Sequence, residues 1–160
     1  MYGPHDNFSL ADSHVIPGLL HRCALAKASG EPFVVSGSGA PRRQFIFAAD
    51  LATLILATLR CYSAPEPLIL APDEADEVTI GDVARAVAAA MRFEGELRFD
   101  ASRADGQPRK TAANGRLRAL LADGSLRAGG DVKAFTFTPL AEGLAATAAW
   151  FEANYPNVRK

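Results

Sequence analysis

The chain is short of the residues that usually announce chemistry. Its 160 positions hold only two cysteines, Cys23 and Cys61, which give neither a disulfide framework nor a metal-ligand spacing. With three histidines scattered as well, no metal site is expected. No apolar run reaches membrane-spanning length; the longest, around Leu51–Leu59, falls well short. The opening Met1-Tyr2-Gly3-Pro4-His5-Asp6 has neither a charged-then-apolar leader pattern nor a lipidation motif, so the expectation is a cytoplasmic chain with no membrane partner. Charge of one sign is also lacking. Seventeen basic residues face 18 acidic ones for a net charge of −1, which argues against a nucleic-acid or polyanion binder. The glycine pair Gly37/Gly39 is too short to be a dinucleotide fingerprint.

What is present is enough for a core. Hydrophobic residues make up 49% of the chain and charged ones 22%, the balance of a folded domain or of a large piece of one. Residues 1–13 are polar and rich in turn formers. From Val15 to Ala26 the apolar positions follow helical spacing, with Ser13 as the expected cap, Pro17 tolerable in the first turn and Ser29-Gly30 as the stop. Phe33-Val34-Val35, Phe45-Ile46-Phe47, Leu68-Ile69-Leu70 and Glu96–Phe99 read as short strands. Asp50 is expected to cap an apolar helix through Leu59, and Thr79-Ile80-Gly81-Asp82 to open one reaching about Phe93. Helices are also expected over 114–121 and from Thr138-Pro139 through Phe151, with a flexible glycine-containing loop at 122–134 between them. Alternation of these patterns predicts an α/β fold.

Several polar side chains sit where they could do work. His14 lies at a helix entrance, where an imidazole can exchange a proton near neutral pH or simply complete a loop hydrogen-bond network. Arg22, eight residues on, falls on the same side of that helix after about two turns, as a ligand contact or a solvated surface group. Arg42-Arg43 follow the turn Gly37–Pro41, and Arg109-Lys110 end the turn-rich stretch 100–108. Each pair can clamp an anion or be an ordinary exposed turn. Three cationic sites on loops of a chain with net charge −1 favour a phosphorylated small molecule over a polymer.

Certain blocks carry more than spacing. Tyr2-Gly3-Pro4-His5-Asp6-Asn7-Phe8, Ser13-His14-Val15-Ile16-Pro17, Pro41-Arg42-Arg43-Gln44-Phe45, Phe99-Asp100-Ala101-Ser102 with Asp105-Gly106, and Pro108-Arg109-Lys110 stand in one order. Together they resemble the GDP-L-fucose synthase family of the extended short-chain dehydrogenases, from Tyr2 to the Trp150-Phe151…Asn154 helix. That resemblance implies a 3,5-epimerase and NADP-dependent 4-reductase of GDP-4-keto-6-deoxy-D-mannose. It implies that His14 is the acid protonating the sugar during epimerisation, and that Arg22, Arg43 and Lys110 line the GDP-sugar site. Tyr2-Gly3-Pro4 matches the turn after the sixth Rossmann strand, where nicotinamide and substrate meet. Ser36 stands where relatives often place a Trp, and the 122–134 loop is longer than theirs.

Equally, the family's Gly-rich turn and its Tyr-x-x-x-Lys pair are missing from this sequence. Cys23 and Cys61 lie outside the matching blocks, so neither takes the family's cysteine-base role. The resemblance therefore implies the C-terminal, substrate-binding half of such an enzyme, without the N-terminal Rossmann half. Residues 45–71 would return to the Rossmann layer, and 79–121 with 138–154 would form the small lobe. Its expected partners are a GDP-sugar and the Rossmann half or another subunit. The family homodimer is not expected, because its interface lies on helices of the other half. A non-catalytic short relative acting as a binding or structural subunit is the alternative reading. Apolar surface left open where the Rossmann layer belongs predicts marginal stability for residues 1–160 alone.

Overall fold

The computed structural model describes residues 1–127 and 135–160. Ten elements follow in order: α1 Val15–Ser29, β1 Phe33–Ser36, β2 Arg42–Arg43, α2 Ala48–Cys61, β3 Val78–Thr79, α3 Ile80–Ala90, β4 Leu97–Asp100, β5 Arg109–Lys110, α4 Gly115–Ala122 and α5 Leu140–Asn154. The fold is α/β, with two small sheets. β1 and β4 pair in parallel, Phe33 beside Leu97 and Ser36 beside Asp100. In the second sheet β2 lies between antiparallel β3 and parallel β5.

Helix ends follow local chemistry at some places and not at others. Gly30 ends α1 in a left-handed conformation (φ 74°), its N–H donating to Ala26 O, as its lack of a Cβ permits. Thr79 caps α3, its Oγ1 accepting from Asp82 N at 3.0 Å. Ser13 does not cap α1. His14 is the N-cap residue and makes no side-chain cap bond. Asp50 is likewise not a cap: α2 begins at Ala48, which places Asp50 within the first turn. Its carboxylate instead accepts from Thr138 N (2.7 Å) and Thr138 Oγ1 (2.9 Å), tying α2 to the entrance of α5.

Two expected strands are absent. Residues 45–47 make only a single bridge, Phe47 to Tyr2, and the strand of that segment lies earlier, at Arg42-Arg43. Leu68–Leu70 joins no ladder among the described residues. Its leucines still pack inward while Ile69 is 50% exposed. The expected flexible loop also begins with order. Gly124 is left-handed, Leu126 N donates to Leu120 O at 2.9 Å, and Leu126 is buried. The remainder of that expectation, 128–134, lies outside the described residues.

Two cores result. The larger one packs Tyr2, Phe8 and Phe33 with apolar faces of α1, α3 and α5. The second gathers Ile46, Leu54 and Ala57 against Leu117 and Leu126, with Leu68, Leu70, Phe135 and Phe137 around them. The polar stretch 1–13 is pinned at several points. Phe8 N donates to Arg159 O (2.8 Å), and the buried His21 donates from Nδ1 to Phe8 O (2.7 Å). No helix among the described residues is long and apolar enough to cross a membrane.

Candidate functional site

His14 is presented by the junction between the 1–13 loop and α1. The loop is held by short-range bonds, Asn7 Oδ1 accepting from Ser9 N at 3.1 Å and Ser9 O accepting from Ser13 N at 3.1 Å. The His14 imidazole is exposed, and its backbone O begins the helix by accepting from Gly18 N at 3.1 Å. Its ring takes no hydrogen bond among the described residues, so it is not a group that merely completes a loop network.

Arg22 folds back toward that same end of α1. Gly18 lets the preceding loop approach the helix: a Cβ there would lie 2.6 Å from Ser13 Oγ, whereas Arg22 Nη1, at 3.7 Å, would be in ordinary contact. Arg22 Nη2 donates to Leu10 O at 3.4 Å. Below it, Arg22, Leu25, Val34, Ser36, Asp100 and Arg103 line an open groove of about 490 Å³ between α1 and the β1–β4 pair. The Ser36 position therefore does form a wall of a groove, and as a serine it leaves that wall low.

The turn 37–41 connects this groove to the second sheet. Gly39 has φ 78°, and a Cβ there would meet Phe99 Cε1 at 2.7 Å, so only glycine fits. Asp105 reaches across to clamp the turn, accepting from Ser38 N (2.9 Å) and Ser38 Oγ (2.5 Å). These bonds hold the Asp105 carboxyl below its ordinary pKa, since they favour the charged form. Gly81 N and Ile80 N, at the start of α3, donate to Gly39 O and Pro41 O.

The cations follow directly. The parallel register sets Arg43 beside Lys110 and Arg42 beside Arg109. Arg43 Nη1 donates to Arg42 O (2.7 Å) and Gln107 O (2.8 Å), which fixes its guanidinium against the 106–108 turn. Lys110 is exposed and makes no ion pair among the described residues. Arg42 and Arg109 instead meet the carboxylate of Glu77, whose side chain is 2% exposed. Sequence reasoning missed Glu77. It lies in the acidic run Asp73-Glu74-Ala75-Asp76-Glu77, and nothing in that run marks which carboxylate is buried.

Tyr2, Gly3 and Pro4 sit apart from these cations. Tyr2 N donates to Ile46 O (3.0 Å), and Tyr2 O accepts from Ala48 N (2.8 Å). The Tyr2 ring is buried against Phe45 and Phe47. Burial, with the Asp50 charge nearby, pushes its phenol far above the ordinary tyrosine range. The ring is thus a core group, and the turn has only its backbone and Pro4 to offer a ligand. Among the described residues no group of His, Cys, Asp and Glu could hold a metal ion.

Comparison with known proteins shows what the chain as a whole is similar to. The model of the NAD dependent epimerase/dehydratase family matches residues 1–70. GDP-L-fucose synthase of Dictyostelium discoideum is 44% identical over all 160 residues, which cover 47% of its length. The probable GDP-L-fucose synthase of Drosophila melanogaster is 42% identical, with the whole chain covering 49% of it. The crystal structure of a GDP-L-fucose synthetase from Naegleria fowleri superposes with a TM-score of 0.90 at 40% identity, over 99% of this chain and 45% of that one. The chain thus spans about half the length of the relatives it matches. Over its whole length it matches a partial, C-terminal stretch of GDP-L-fucose synthases, and its first 70 residues match the NAD dependent epimerase/dehydratase family.

Proposed function

We propose that the protein takes part in forming GDP-L-fucose from GDP-4-keto-6-deoxy-D-mannose in the cytoplasm, by 3,5-epimerisation and NADP-dependent 4-reduction. In this reading the chain supplies GDP-sugar binding and the epimerisation acid. The observation that carries it is the in-register pairing of Arg43 with Lys110, which brings to one place two cations that have no carboxylate partner among the described residues. A diphosphate is the small anion that such a pair suits. Arg22 adds a third cation at the groove beside α1.

His14 would act on the sugar. Hydrogens on the carbons flanking the 4-keto group are acidic because the enolate is stabilised, and inversion takes a proton from one face and returns one on the other. An exposed imidazole whose ring takes no hydrogen bond among the described residues can deliver that proton. The base for the other face would come from outside this chain, since Cys23 is buried and Cys61 lies at the end of α2. Burial raises the Cys23 thiol to about 11, away from the thiolate a base requires.

NADP, when bound, supplies hydride for the 4-keto carbon, and a Naegleria fowleri relative has been solved bound to NADP. Most of the dinucleotide site would lie outside this chain, with Tyr2-Gly3-Pro4 at its edge. No Tyr-x-x-x-Lys pair is present, and Gly3 approaches Ala48 and Phe47 of its own fold. The cofactor site is therefore assigned to a Rossmann half, in the same polypeptide or a partner. Residues 45–71 would face that half, with 79–121 and 138–154 forming the substrate lobe.

The native-length protein, incubated with the keto-sugar in D2O, should wash deuterium into C3 and C5. His14→Asn should abolish wash-in at one or both positions while GDP binding persists. Unchanged wash-in would remove His14 from the chemistry.

A further inference from the structure

Four cations lie on two adjacent strands, and the register sorts them into two pairs. Arg42 stands beside Arg109 and Arg43 beside Lys110. Successive side chains of a strand point to opposite faces, so one pair faces one way and the second pair the other. The first pair is fully engaged. Arg42 Nε and Arg109 Nε both donate to Glu77 Oε2, at 3.2 and 2.8 Å. Arg42 Nη2 also donates to Glu77 O at 2.8 Å, and the Thr111 hydroxyl donates to Glu77 Oε1. Glu77 immediately precedes β3, Arg42 lies on β2, Arg109 opens β5 and Thr111 follows it. One sheltered carboxylate therefore joins all three strands of the sheet. The second pair has no carboxylate among the described residues.

Short strands of two residues each hold few ladder bonds, so their spacing depends on side chains. We infer that Glu77 is a positioning residue for the anion site: by binding Arg42 and Arg109 on one face of the sheet, it holds Arg43 and Lys110 on the other at the separation of neighbouring strands, where both can engage one diphosphate. Glu77 never touches the ligand. It also neutralises the cations that would otherwise offer a competing anion site on the wrong face. This inference rests on the GDP-sugar reading above.

The test uses the native-length protein and isothermal titration with GDP and GMP. Glu77→Gln keeps the size of the side chain and an acceptor oxygen but loses the charge. It should weaken GDP binding about tenfold, the loss of one charge-assisted contact, and GMP binding much less. Thr111→Val, a milder change that leaves the carboxylate in place, should shift the GDP-to-GMP ratio in the same direction by a smaller factor. It carries the test if Glu77→Gln does not fold. In a Lys110→Ala background the effect of Glu77→Gln on GDP should shrink, because the contact it positions is already gone. Equal losses for GDP and GMP, or additive effects in the double variant, would overturn the inference. If Arg43→Ala weakens GDP binding while Glu77→Gln and Thr111→Val leave it at the wild-type value, the site reading stands and the positioning role falls. A wild-type protein that binds neither nucleotide overturns both.

Discussion

Single carboxylates decide how this fold is joined, and they should make it sensitive to acid. Glu77 sits below its ordinary pKa first because the Thr111 hydroxyl donates to it, then because Arg42 and Arg109 do. Asp73 is lowered in the same sense by the side chains of Arg118 and Asn114, bonds that fasten the 73–76 turn to α4. A carboxyl group whose pKa is depressed in the folded state contributes stability that is complete above its unfolded pKa of about 4 and is lost as the pH falls toward the folded value. Denaturant midpoints should therefore be level from pH 7 to about 5 and fall below that. Glu77→Gln should flatten part of the fall, and a profile identical to wild type would show that Glu77 is not one of the groups responsible. None of these partnerships was legible beforehand. A sequence shows that Asp73, Glu74, Asp76 and Glu77 are acids, but which of them loses its water depends on Arg42, Arg109 and Arg118 arriving from distant positions.

Elements were legible in proportion to how locally they are determined. α1 and α5 read clearly because helical bonds close within the segment, and apolar spacing reports the buried face. Thr79 was readable as a cap since its acceptor role spans three residues. Strands failed where the ladder decides. Phe45-Ile46-Phe47 has the composition of a strand, yet β2 forms at Arg42-Arg43, since that is where β3 and β5 come alongside. His14, Arg22, Arg43 and Lys110 could be singled out as exposed polar groups near turns, but only the register showed that Arg43 and Lys110 are neighbours. Packing between elements also explains Gly143 in α5. An added Cβ there would run into the Tyr2 hydroxyl and lie 2.9 Å from Tyr2 Cζ, a buried ring with no room to retreat. Gly143→Ala gains about 1 kcal/mol in helix propensity, yet overpacking of a filled core costs about 1–3 kcal/mol. The expected result is a lower Tm in differential scanning calorimetry. A higher Tm would mean that the 2–4 turn shifts freely, which its pairing with Phe47 argues against.

Across the whole molecule the contrast is between two filled cores and one bare face. Along α2, Leu54 and Ala57 are buried, while Ile55, Leu56 and Leu59 are 44%, 52% and 77% exposed, with Ile69 open nearby. Each such side chain, if fully covered, is worth about 1.5–3 kcal/mol, so leaving several in water is a large fraction of a domain's stability. Residues 1–160 prepared alone should bind a hydrophobic dye and self-associate in sedimentation experiments. Leu56→Glu with Leu59→Glu should make that polypeptide monomeric; a wild-type segment that is already monomeric and dye-free would refute the expectation. The bond from Phe8 N to Arg159 O has a practical side. The stretch that presents His14 is moored to a residue far along the chain, so a cut made before Arg159 would release the same cord that holds the imidazole in place. Shortening the chain there and replacing His14 are, for this protein, related experiments.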